Sequence, residues 1–198
     1  LLTATTSFVG RQVELSKITE LLLGSDCRLM TITGPGGMGK TRLALTIASE
    51  QLKLDTPFRN GLYFVPLDAV GSTPSTTTSD ANPIILAIGL ALGIPFAGQT
   101  PVKAQLLNTL GEKLMLLVLD NFEHLTDYAR EVGDMLEQVP GLKVIVTSRV
   151  SLNLYAECVF DLWGLPYPTA LDGVSQLDTI DSIQLFGQRA QQIYPDFD

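Results

Sequence analysis

The sequence is short of three things: cysteine, positive charge and unbroken apolar runs. It holds two cysteines, Cys27 and Cys158. Two cysteines make no disulfide framework, and neither sits at metal-ligand spacing. Both fall beside runs that read as strands, so they are expected as buried free thiols, which suits a reducing, cytoplasmic compartment. Lys and Arg number 13 against 21 Asp and Glu, giving a formal net charge of −8 and a pI of about 4.6. That balance argues against direct nucleic-acid binding and against an anionic membrane surface. The apolar stretches are too short or too interrupted to span a bilayer. Nothing at Leu1 has the layout of a signal peptide. There is one histidine, His124, and no internal repeat. The N/T-K-x-D pattern that reads guanine is missing after the central apolar runs. What is present is 198 residues, enough for one α/β domain with a substantial core. The chain opens without Met and stops at Asp198, which reads as a segment of a longer protein.

The most informative stretch is Gly34-Pro35-Gly36-Gly37-Met38-Gly39-Lys40-Thr41. It fits G-x-x-x-x-G-K-[ST], the phosphate-binding P-loop. Leu29 to Thr33 before it is short, apolar and β-branched, as a buried strand should be. Arg42 to Ala48 after it puts Leu43 and Ile47 on one helical face. Strand, glycine loop and helix are the context the motif requires. Glycines at 34, 36, 37 and 39 permit φ angles closed to other residues and carry no Cβ. Successive N–H groups can therefore turn inward on an anion. The helix beginning near Lys40 adds its positive dipole end. Lys40 is placed to bridge β- and γ-phosphates, and Thr41 to offer its hydroxyl to Mg²⁺. Arg42 closes the candidate nucleotide-binding stretch.

Along the chain, residues 1–7 read as a frayed lead-in. A helix is expected from Gln12 to Leu23, with Leu15, Ile18 and Leu22 on one stripe and Gly24 ending it. The P-loop helix runs to about Leu52. Gly61 to Leu67 reads as a strand, with Pro66 marking an edge. Gly71 to Asn82, rich in Ser and Thr, reads as a surface loop. Helices are expected at Ile84–Leu92, Val102–Lys113 and Phe122–Gln138. Met115 to Leu119 is a fully buried strand by its unbroken apolar run. Further strands are expected at Lys143–Thr147 and Ala156–Leu162. Pro166 and Pro168 then break the pattern. Ser182 to Ile193 reads as an amphipathic helix with Ile183, Phe186 and Ala190 on its apolar face. Alternating strands and helices imply a parallel sheet between two helical layers, with ligands beyond the strands' carboxyl ends.

Two further residues fall at such ends. Asp120 follows the buried strand, the Walker B pattern, and would hold Mg²⁺ opposite Thr41. Arg149 follows the Lys143–Thr147 strand, where a guanidinium could read a γ-phosphate. Hydrolysis also asks for a group that orients water. Asn121, next after Asp120, cannot take a proton. Glu123 is the nearest carboxylate and the candidate for that task, with His124 beside it.

Taken together, Phe8-Val9-Gly10-Arg11, the GPGGMGKT loop, Leu116 to Leu125 (LLVLDNFEHL) and Val144 to Arg149 (VIVTSR) resemble the NB-ARC type of STAND ATPase. The closer likeness is to bacterial regulators that join such an ATPase to DNA-binding and helical-repeat domains. The resemblance implies a P-loop NTPase three-layer α/β/α sandwich with a parallel sheet of order 5-1-4-3-2. It implies that Val9 and Arg11 lie by the adenine, that Lys40 and Thr41 serve phosphate and Mg²⁺, that Asp120 is the Walker B acid, and that Arg149 is the sensor arginine. It divides the chain into a nucleotide-binding domain, residues 1–168, and the start of a helical lid, residues 169–198. The Gly-Leu-Pro at 164–166 directly follows the fifth strand and is distinct from the family's later GLPL motif in the lid. The implied function is an ATP/ADP switch with slow hydrolysis, working on other domains of a parent protein and open to nucleotide-dependent self-association. An ADP-locked scaffold is the alternative; a small-molecule kinase fits less well, since no arginine-rich acceptor lid is placed.

Overall fold

A computed structural model describes residues 8–53, 57–70, 82–168, 177, 179–194 and 197. Five short runs carry the sheet: β1 (Leu29–Thr33), β2 (Leu62–Pro66), β3 (Met115–Asp120), β4 (Leu142–Thr147) and β5 (Glu157–Asp161). All are parallel, in the order β2-β3-β4-β1-β5. Read from the other edge this is the expected 5-1-4-3-2. Pro66 lies on the edge strand β2, where its missing N–H removes no ladder bond from the sheet interior.

The unbroken apolar runs are divided by the two-residue period of a strand. Leu117, Leu119, Val144 and Val146 face one layer, while Leu116, Val118, Met30, Ile32 and Ile145 face the other. Both faces are covered, so β1 and β3 are buried at every position, the threonines of β1 included. On one face lie α1 (Gln12–Leu23) and α2 (Lys40–Lys53), through Leu15, Ile18, Leu22, Leu43 and Ile47. On the other lie α3 (Pro83–Ala91), α4 (Val102–Leu110) and α5 (Ala129–Gln138). Helix α6 (Asp181–Ile193) follows the sheet.

Several boundaries depart from sequence expectation for local reasons. Helix α3 starts at Pro83, because the Asn82 side chain accepts from Ile84 N at 2.9 Å and Pro suits the first helical position. Helix α4 ends at Leu110, where Gly111 turns to φ 44°. The expected helix over 122–138 is two 3₁₀ turns (Phe122–His124 and Thr126–Tyr128) before α5 begins. Asn121 takes a left-handed conformation (φ 62°, ψ 52°), and the chain then folds back to bury Phe122 completely. Cys27 is buried and Cys158, on the edge strand, only partly so; both are free thiols. Burial pushes the Cys27 thiol up to about 12, so it stays protonated at neutral pH. The expected Ser/Thr-rich loop falls, except for Asn82, outside the described residues, as do the lead-in at 1–7 and residues 169–176. No helix among the described residues is long and apolar enough to cross a membrane.

Candidate functional site

The carboxyl ends of β1, β3 and β4 converge on the glycine loop. Gly34 leaves β1 at φ 144°, and a Cβ there would lie 2.5 Å from the Leu162 carbonyl oxygen. The approach is fixed because Leu162 N donates to Thr33 O at 2.8 Å. Only glycine can pass this point. Gly37 and Gly39 take φ of 81° and 86°, and a Cβ on either would meet nothing within 4 Å. The loop is thus wound tightly underneath and open above. Pro35, Gly36 and Met38 complete its course between β1 and α2. Lys40 opens α2, and its Nζ folds back over the loop to donate to Gly34 O (2.8 Å) and Pro35 O (3.0 Å).

Thr41, one residue into the helix, donates its hydroxyl to Asp120 Oδ1 at 2.6 Å. Thr147, at the end of β4, donates to the same oxygen at 2.6 Å and accepts from Asn121 N at 3.1 Å. The carboxylate, itself at the end of β3, is therefore oriented from β4 and from α2, in a buried position. A hydroxyl and a carboxylate side by side beside an anion cradle suit Mg²⁺, which takes one or two protein oxygens and completes its shell with phosphate and water. Among the described residues no cluster of three or more His, Cys, Asp or Glu side chains could cage a metal by itself. Sequence reasoning read the β4 strand for Arg149 and passed over Thr147. A hydroxyl ending an otherwise apolar run was the available signal.

Arg149 stands two residues beyond β4. Its Nε pairs with Glu123 Oε1 at 3.0 Å, and its Nη2 lies 3.9 Å from where a Cβ on Gly36 would be. The neighbouring His124 turns elsewhere, with Nε2 3.1 Å from the Val70 carbonyl oxygen.

Beside the loop opens a cavity of about 420 Å³, within the size range of small-ligand sites. It is lined by Phe8, Val9 and Arg11 from the N-terminal segment, by Met38, Arg42 and Leu43 from the loop and α2, and by Gly164, Leu165, Ser182, Leu185 and Arg189 from the chain after β5. Arg11 is buried in a left-handed turn (φ 65°), held by Glu14 Oε1 at 2.7 Å and by the Trp163 carbonyl at 2.5 Å. It thereby ties the N-terminal segment to the chain leaving β5. Gly10 packs so closely on Asp181 that a Cβ would fall 2.3 Å from Asp181 Oδ2. The Arg42 guanidinium stacks 5.8 Å above the Phe8 ring. Burial, and then the nearby charge of Arg189, draw it below its usual range.

The α6 side of this cavity was not legible. The apolar face expected at Ile183, Phe186 and Ala190 is not buried: Phe186 is 65% exposed, in edge contact with Phe197 at 5.8 Å between ring centroids. Helix α6 instead turns Ser182, Leu185 and Arg189 to the cavity. The Gly164-Leu165 pair also borders it, as the segment that follows β5.

Comparison with known proteins places this geometry. The family model described as "NB-ARC domain" matches residues 11–154. An uncharacterized protein of Mycobacterium tuberculosis is 35% identical over 97% of this chain and 43% of its own length. A candidate HTH-type transcriptional regulator of the same organism is 32% identical over 86% of this chain and 17% of its own length. The chain thus spans less than half the length of these relatives. Among solved structures, a STAND protein with a tetratricopeptide repeat sensor from Pyrococcus horikoshii superposes with a TM-score of 0.53 at 19% identity, covering 99% of this chain and 27% of that one. That last likeness speaks to the fold alone.

Proposed function

The chain belongs to the NB-ARC family, and from that premise we propose that it is the nucleotide-binding module of a switch, taking ATP or ADP with Mg²⁺ and setting the state of a larger regulatory protein. The observation that carries the proposal is the convergence of the open glycine loop, the Thr41–Asp120 pair and Arg149 at the carboxyl ends of three adjacent strands. In this reading the loop's N–H groups and Lys40 hold the phosphates. Thr41 and Asp120 would hold Mg²⁺, which would supply charge neutralisation at the phosphates. The cavity walled by Val9, Arg11 and Arg42 takes the base and ribose. Arg42 and Arg189 near one another suit a ligand that carries negative charge. The HTH-type regulator among the relatives favours a transcription-regulating parent with other domains; free thiols at Cys27 and Cys158 suit a reducing, cytoplasmic compartment.

Hydrolysis is expected to be slow. Asn121 follows Asp120 where a second acid would help, so no carboxylate adjoins the metal position on that side. Turnover by the chain should be on the order of 10⁻² s⁻¹ or less, as for P-loop switches without a completed constellation. Phosphate release measured against a Lys40→Ala blank tests this. Steady turnover at ordinary enzyme rates would refute it. A second reading, an ADP-locked scaffold, is favoured by the same Asn121, and a rate no higher than the blank would select it.

A further inference from the structure

Glu123 is the carboxylate that the sequence offers for orienting water, yet its two oxygens are placed for a different task. Oε1 lies against Arg149 Nε at 3.0 Å. Oε2 is shut off from solvent and has no hydrogen-bond partner among the described residues. One oxygen is taken by a cation and the other is closed to water, so neither is set to accept a proton from an attacking water.

The platform beneath Glu123 is firm. Phe122 is fully buried, Leu125 N donates to Phe122 O at 2.8 Å, and His124 meets the Val70 carbonyl. Arg149, in contrast, is 66% exposed on a loop beyond β4, while Glu123 is 24% exposed. An exposed arginine samples many rotamers, and an ion pair this open adds little to fold stability. What the pair does fix is direction. The guanidinium is a planar fork. With Nε taken by Glu123, Nη2 comes to lie against Gly36 of the glycine loop, 3.9 Å from where a Cβ there would be.

We propose that Glu123 is a positioning residue that holds the Arg149 fork over the loop, so that the pair makes the site distinguish a nucleoside triphosphate from a diphosphate. A terminal phosphate would meet a guanidinium already ordered. A diphosphate, lacking that group, gains nothing from it. The inference rests on the nucleotide-site reading of the loop and cavity.

The test is calorimetric titration of Mg-ADP and of a Mg-bound non-hydrolysable ATP analogue. The proteins are the unaltered chain, Glu123→Ala, Glu123→Gln, Arg149→Ala and the double alanine variant. ADP affinity should stay within about twofold throughout, which also reports that each variant is folded. Affinity for the analogue should fall roughly tenfold in Arg149→Ala, the scale of one charge-assisted hydrogen bond. It should fall comparably in Glu123→Ala, and no further in the double variant, because the two act as one unit. Glu123→Gln, whose amide oxygen still accepts from Nε, should recover most of the loss. If Glu123→Ala bound the analogue normally but hydrolysed ATP more slowly, the carboxylate would be acting on water and the inference would be wrong. Additive losses would equally overturn it. Failure of the unaltered chain to bind ADP would instead defeat the nucleotide-site reading itself, and this inference with it.

Discussion

Asp120 Oδ1 receives two hydroxyl hydrogen bonds, from Thr41 and Thr147, each 2.6 Å long. The two donors have different fates if Mg²⁺ binds. Thr41 would join the metal's own shell, whereas Thr147 is wholly buried behind the carboxylate and would keep its bond. Thr147 also accepts from Asn121 N, holding the left-handed turn in which no side-chain base follows Asp120. Replacing Thr147 with Val keeps the shape, removes the donor and leaves the Asn121 N–H without its acceptor. The expected cost is about 1–3 kcal/mol of stability. Mg²⁺ affinity in the presence of ADP should weaken roughly tenfold, as for other groups that orient a metal ligand. A Mg²⁺ titration of ADP binding checks this, with Asp120→Ala as the limit in which Mg²⁺ dependence disappears. A Thr147→Val protein with unchanged Mg²⁺ dependence would show that Thr147 does not orient the acid. At this scale the sequence announced Lys40, Thr41 and Asp120 through spacing. It was silent on Thr147, whose importance arises only when β3 and β4 pair side by side.

The glycine loop is an element whose residues do unequal work. Gly34 and Gly37 both have positive φ, but a Cβ at Gly34 meets a fixed backbone carbonyl whereas one at Gly37 meets open space. Gly34→Ala therefore combines backbone strain with a steric clash between β1 and the segment after β5. It should cost about 2–4 kcal/mol. Gly37→Ala carries the left-handed penalty alone, roughly 1–2 kcal/mol. Urea unfolding of both variants measures the difference, and equal midpoints would contradict the packing described. The strands themselves were readable because continuous apolar runs bounded by Gly and Asp leave few alternatives. The segment over 122–138 was misread because its helical pattern is real, yet Phe122 is drawn into the core before α5 can begin. The face of α6 was misread for a related reason. Amphipathicity assigns the apolar stripe to a core, while Ser182, Leu185 and Arg189 face a cavity whose other walls lie far back in the sequence, at Phe8 to Arg11 and Met38 to Leu43.

For the whole molecule, the sheet order joins distant pieces of chain into one site. Strand β1 sits between β4 and β5, so the loop after β1 is flanked by Thr147 and Arg149 on one side and by Leu162 to Leu165 on the other. In the proposed reading the phosphates lie on the first side, and the cavity opens on the second. The order was anticipated from family likeness; periodicity alone gives strands without their neighbours. The net charge of −8 makes the positive groups at this site, Lys40, Arg42 and Arg149, a local exception in an acidic domain, which favours a small anionic ligand over a polyanion. The central claim is that this exception is an adenine-nucleotide site. Its most direct test is calorimetric titration of the chain with Mg-ADP and Mg-GDP, alongside Lys40→Ala. Tighter binding of ADP than of GDP, with ADP binding severely weakened in Lys40→Ala, is the predicted result. Equal or tighter binding of GDP, or ADP binding indifferent to the loss of Lys40, would contradict it.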